Sequence, residues 1–182
     1  LFMKIAIIYY TKTGNTRAMA EAVAEGTRNL PGIETKTFEL DHIDMAYLKQ
    51  SRAVIFGTPT HHADCCWQFK KWFDEMSGHP KDGTTAYPLV DKLGAVFATA
   101  DFAQGGAHVA LTNLIGHMLV QGMMVYSGGA AHGLPYLPFG AVSLTENFEI
   151  SKQIFRTFGE RIAIKTKELF EAHHSHSHSS YR

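Results

Sequence analysis

One junction constrains this chain more than any other. A short, almost wholly apolar run, Met3 to Tyr10, meets the polar turn Thr11-Lys12-Thr13-Gly14-Asn15-Thr16, and a helical pattern follows. An apolar run without alternation marks a strand buried on both faces, as in parallel sheets. From Arg17 onward, Met19, Val23 and Leu30 share a stripe padded with Ala20 and Ala24, which is amphipathic helix spacing. Pro31-Gly32 ends that helix. A strand that passes into a helix through such a turn suits a phosphate. Backbone N–H groups of the loop and helix N-terminus face the anion, and the helix dipole favours its charge. Hydroxyls of Thr11, Thr13 and Thr16 and the Asn15 amide add donors. Lys12 can help from the rim, and Gly14 lets the backbone approach closely or take positive φ. The Walker pattern and G-x-G-x-x-G are both absent. The plain alternative is a polar turn that only starts a helix.

The same alternation continues along the chain. Ile33 to Leu40 reads as a second strand, with a short helix around Met45 to Leu48. Ala53 to Gly57 is a third strand, ending in the loop Thr58 to Cys66. Phe69, Trp72, Phe73 and Met76 recur at helical spacing. Leu93 to Ala98 is a fourth strand, ending in the loop Thr99 to Gly106. A helix near His108 to Leu119 and a strand at Met123 to Tyr126 follow. Ser127 to Thr145, rich in Gly and Pro, reads as a long loop before a closing helix marked by Ile154, Phe158, Ile162 and Leu169. Five strands alternating with five helices predict an α/β domain: a parallel sheet in the order 2-1-3-4-5 with helices on both faces. Ligands then bind beyond the carboxyl ends of the strands. One domain spans residues 1–172, and residues 173–182 form a His/Ser-rich tail expected to fray.

Composition excludes several classes. Hydrophobic residues make up 45% and charged residues 19%, enough core for a folded domain. Lys+Arg and Asp+Glu both number 17, so charge makes no case for nucleic acid or an anionic membrane. No apolar run approaches the ~20 residues needed to span a bilayer. The opening residues lack a signal-peptide pattern. Cys65 and Cys66 are adjacent, so no disulfide framework is expected, and two free thiols suit a cytoplasmic location.

Tyr10 to Thr16 resembles the flavodoxin phosphate loop. Phe56-Gly57-Thr58-Pro59-Thr60 is similar to the second flavin loop of the WrbA-type NAD(P)H:quinone oxidoreductases. Gln68, Lys70 and Asp74, Phe97-Ala98-Thr99 with Gly105-Gly106, Pro138 to Ala141 and Gly159 to Ala163 fall in step with that family. The resemblance runs over nearly the whole chain except the tail. It implies a flavodoxin-like three-layer sandwich, FMN as cofactor, and a homodimer or homotetramer. It assigns the ring's N5, O4 and N3 edge to Pro59, Thr60, His61, His62 and Ala63, and backbone groups as far as Asp64 can join them. The third loop, Thr99, Ala100, Asp101, Phe102, Gln104, Gly105 and Gly106, is expected at the pyrimidine edge and ribityl chain. This sequence departs from the family pattern at Ala63 and Asp64, where Gly and Asn are usual, at Asp101-Phe102, and at Gln121. The family Trp before the fourth strand is missing from Gly83-Thr84-Thr85-Ala86-Tyr87.

His61, His62 and His132 are the weak candidates for proton transfer, since imidazole titrates near neutral pH. The plain alternative for each is a polar loop residue. No metal site is expected, because thiolate–imidazole sites need four ligands and no second cluster lies near Cys65 and Cys66. Those cysteines are expected to open the third helix, either as packing residues or as a thiol made reactive by the helix terminus. Trp67 either shields the flavin or caps the core, and Trp72 belongs to the core stripe. Tyr136 and Phe139, with His132, lie in a loop long enough to roof a site. The helix near His108 to Leu119 is apolar on more than one face, so it is either deeply buried or meets another subunit; the resemblance to a family that forms tetramers implies association. The tail histidines His173, His174, His176 and His178 read as solvated.

Two functions follow. The first is an FMN-dependent oxidoreductase passing electrons from NAD(P)H to a quinone-like small molecule. The second is a flavodoxin-type carrier that docks to redox partner proteins. Such carriers usually display a strongly acidic docking face, since charge steers encounters. The balanced charge and the quinone-reductase-like motifs favour the enzyme.

Overall fold

A computed structural model describes residues 2–76 and 87–171. The stretch Gly83 to Ala86 and the tail lie outside the described residues. The chain alternates as expected: β1 (Met3–Tyr9), α1 (Asn15–Arg28), β2 (Ile33–Glu39), α2 (Met45–Gln50), β3 (Ala53–His61), β4 (Asp64–Cys65), α3 (Trp67–Met76), β5 (Leu93–Ala100), α4 (Ala107–Val120), β6 (Met124–Val125), β7 (Ala141–Leu144) and α5 (Phe148–Phe170). A 3₁₀ turn, Thr145–Asn147, leads into α5.

The main path of the sheet is β2-β1-β3-β5-β6, all parallel. This is the expected 2-1-3-4-5 order with β5 and β6 as fourth and fifth strands. β5 sits deep in the sheet, and all eight of its residues are buried, which explains its unbroken apolar run. Helices α1 and α5 cover one face through Met19, Val23, Phe155, Phe158 and Ile162. The other face carries Leu48 of α2, Phe69 and Phe73 of α3, and Leu111, Leu114 and Met118 of α4. Burying each such large side chain contributes about 1.5–3 kcal/mol.

Two segments depart from the sequence expectation. Thr58 to Cys66 is a hairpin rather than a loop. β3 runs on to His61, and β4 returns antiparallel, pairing Thr60 with Cys65 and His61 with Asp64. Likewise, Ser127 to Thr145 is not all loop. β7 takes up the pairing with β5 where β6 leaves off: β6 pairs with Leu93 and Gly94, and β7 with Phe97 to Ala100. The fifth strand position is therefore split, and the residues between form an excursion from the sheet edge. The Arg161 guanidinium of α5 pins that excursion, donating to the carbonyls of His132, Gly133, Leu134 and Pro135 at 2.7–3.4 Å.

Candidate functional site

The carboxyl ends of β1, β3, β5 and β7 meet around one cleft of about 310 Å³. It lies beside the point where the chain order reverses between β1 and β3, the usual ligand position in such sheets. Its first wall is the turn after β1. Thr11 Oγ1 accepts the Gly14 N–H at 3.0 Å and closes that turn. Gly14 then starts α1 at φ +99°, supplies no side-chain cap, and a Cβ placed there would meet nothing within 4 Å. The first turn of α1 contains no acid. Uncapped N–H groups and an unneutralised dipole leave this helix end suited to an anion. Lys12, Thr13, Asn15 and Thr16 line the cleft beside it. Thr16 Oγ1 is buried and lies 2.8 Å from Thr99 Oγ1, so the first and third loops are tied by a hydroxyl pair.

The second wall is the outgoing arm of the β3–β4 hairpin. Pro59, Thr60 and His61 face the cleft. Buried Thr58 fixes their approach: its Oγ1 donates to the Pro59 carbonyl at 2.7 Å and accepts the Cys66 N–H at 3.1 Å. Burial, with the Lys12 charge, pushes the His61 imidazole below its ordinary pKa. The third wall is Thr99, Ala100 and Asp101 at the end of β5.

Sequence reasoning missed the fourth wall. Ser143, Leu144, Thr145 and Phe148 also line the cleft, and Thr145 Oγ1 donates to Asp101 Oδ1 at 3.4 Å. The signal was a Ser-x-Thr pair just ahead of the closing helix, at a fifth carboxyl end. It was hidden because the strand position is split. Thr60 Oγ1 and Ser143 Oγ are buried without a hydrogen-bond partner among the described residues, and both belong to this cleft. An unpaired buried hydroxyl costs about 1–3 kcal/mol, so a polar ligand has two donor–acceptor groups waiting for it.

The remaining candidates lie elsewhere. His62 and Asp64 line a second groove of about 760 Å³ between α3 and α4, together with Trp67, Lys70, Asn113 and His117. His61 lines both spaces. Ala63 packs on Gly106: a Cβ on Gly106 would lie 2.5 Å from that of Ala63. Phe102 is exposed, its carbonyl accepts the Gly105 N–H at 3.0 Å, and neither residue lines the cleft, nor does Gln104. His132 is in the excursion, its Nε2 3.0 Å from Tyr126 Oη, and does not line the cleft. Tyr136 and Phe139 are exposed there, Phe139 against the His108 ring. Trp67 is exposed beside the groove, while Trp72 packs on the core.

The cysteines correct an expectation. They do not open α3 but precede it, Cys65 in β4 and Cys66 fully buried. Burial, with the Asp64 carboxylate, pushes the Cys65 thiol up to about 12, and burial raises Cys66 as well. Both are packing thiols rather than activated ones. No group of three or more His, Cys, Asp or Glu among the described residues is placed to hold a metal. No helix among them is long and apolar enough to cross a membrane.

The flavodoxin family model matches residues 7–118, from within β1 almost to the end of α4. The chain is 44% identical over 168 residues to a protein named flavodoxin from Clostridium saccharobutylicum, covering 92% of this chain and 100% of that one. The chain belongs to the flavodoxin family. It is also 31% identical over 158 residues to an NAD(P)H dehydrogenase (quinone) from Aromatoleum aromaticum, covering 74% of this chain and 72% of that protein. Among solved structures, the flavodoxin, WrbA-like protein from Agrobacterium tumefaciens shares the fold. Its TM-score is 0.74 at 24% identity, over 91% of this chain and 98% of that one. In this flavodoxin-family chain the family match stops before β7, so the fourth wall of the cleft, with Ser143, lies outside it.

Proposed function

We propose that this protein binds FMN in the cleft and carries electrons between redox partner proteins. FMN is the cofactor of the flavodoxin family. The observation that carries the reading is the cleft's unpaired polarity: an uncapped, acid-free helix start at one end and the orphaned hydroxyls of Thr60 and Ser143 within. When bound, FMN supplies the two-electron redox chemistry of its ring. The chain's own residues bind and orient it. The turn from Thr11 to Thr16 holds the phosphate through N–H groups and hydroxyls, and the second and third loops hold the ring. The relative matched along its whole length supports the carrier reading.

A second reading is an NAD(P)H:quinone oxidoreductase. It is favoured by the groove that shares His61 with the cleft, a space beside the cofactor able to admit a small molecule. Self-association through the exposed Val109, Leu119 and Val120 of α4 fits either reading, and sedimentation velocity measures it. Anaerobic titration of the FMN-loaded protein with NADH and NADPH separates the readings. A carrier keeps its visible band near ~450 nm until dithionite or a partner reductase is added. Rapid bleaching by either nucleotide overturns the carrier in favour of the enzyme.

A further inference from the structure

Asn113 lies in the middle of α4 and does not line the cofactor cleft. Its Nδ2 donates to Asp64 Oδ1 at 2.7 Å. The same oxygen accepts the Cys65 N–H at 2.6 Å. Burial pulls the Asp64 carboxyl up, yet the donors from Asn113 and Cys65 outweigh it and leave the group below its ordinary pKa. This exposed carboxylate thus adds a polar tie between the β3–β4 hairpin and α4, beside the buried packing of Cys65 and Cys66 on that helix.

That fastening bears on a strained turn. His62 and Ala63, at the hairpin's tip, take φ +51° and +59°. Left-handed backbone costs a non-glycine residue about 1–2 kcal/mol, and tips of this kind normally carry Asn-Gly or Asp-Gly. β4 is only two residues long, so its own ladder adds little restraint. Two contacts from α4's side hold the tip: the side-chain-free seat at Gly106 and the Asn113–Asp64 bond. On the opposite arm, Thr60 and His61 look into the cleft. The position of those cleft residues is therefore fixed from behind.

We propose that Asn113 is a positioning residue for the cofactor: by holding Asp64, it keeps the His61–Asp64 turn in its left-handed form. It thereby raises FMN affinity and sets the flavin's midpoint potential. The proposal rests on FMN occupying the cleft, as argued above.

The test measures FMN dissociation constants by flavin fluorescence, and midpoint potentials of the loaded proteins. The proteins are the wild type, Asn113→Ala, Asp64→Ala and the double variant. Asn113→Ala should bind FMN about two- to fivefold more weakly, the scale of a lost solvent-exposed interaction with a carboxylate, with a potential displaced from the wild-type value. In the Asp64→Ala background the same substitution should change neither quantity, because the two act as one unit. Asn113→Leu, which keeps much of the shape and removes the donor without adding a charge beside Asp64, carries the same test if the alanine variant does not fold. Wild-type affinity and potential in the Asn113 variants overturn the proposal. So do additive effects of the two substitutions. A weaker affinity with an unchanged potential marks a merely structural role and overturns it too. A wild-type protein that binds no FMN overturns the cofactor reading instead.

Discussion

Helices α1 and α4 start alike and for different reasons. Each begins at a left-handed glycine, Gly14 at φ +99° and Gly106 at +89°, and neither glycine offers a side-chain cap. The surroundings differ. A side chain on Gly14 would meet open space, whereas one on Gly106 would lie 2.5 Å from Ala63 Cβ and 2.7 Å from its Cα. At α1 the missing side chain leaves backbone donors open to a ligand. At α4 it makes room for another part of the same protein, the hairpin whose outgoing arm walls the cleft. The same residue and backbone geometry thus fit the proposed recognition at one helix and serve packing at the other, and only the neighbours tell them apart.

Paired substitutions can break that comparison. Gly106→Ala combines a left-handed alanine with a clash against packed backbone. It should lower the stability of the FMN-free protein by about 2–4 kcal/mol in urea unfolding. Gly14→Ala carries only the backbone cost and should lower it by about 1–2 kcal/mol. Equal losses would show that the hairpin does not depend on its seat. A smaller effect tests how dry the packed side is. Cys65 ordinarily ionises near 9.0, and in the folded protein its thiol is pushed up to about 12. A raised folded value favours the native state fully below the unfolded pKa, so stability should fall as pH climbs from about 9 towards 12. Cys65→Ser should flatten part of that fall, and a slope identical in the two proteins would mean that the thiol is solvated.

Much of the recognition side was legible in the sequence, and much of the packing side was not. An apolar run, a polar turn and a 3.6-residue stripe announce β1, the loop and α1 because each uses a different residue chemistry. The hairpin gave no such notice. Its tip is His62-Ala63, with no glycine to betray left-handed backbone, so Thr58 to Cys66 reads as a plain loop and Cys65 as a helix start. β7 escaped for another reason. Four residues after a Gly/Pro-rich stretch are too few to show a period, so Ser143 and Thr145 went unassigned although they line the cleft. Asn113 sits among apolar helix residues as an ordinary solvent-facing amide. Only the fold reveals that it meets Asp64, 49 positions earlier.

The central claim is that the start of α1 recognises a phosphate ester, and riboflavin is FMN without that group. Calorimetric titration of the cofactor-free protein with both compounds tests the claim directly. Binding of FMN about 100-fold tighter or more than riboflavin is the expected result, the scale of several charge-assisted hydrogen bonds. Equal affinities, or heat from neither compound, would contradict it.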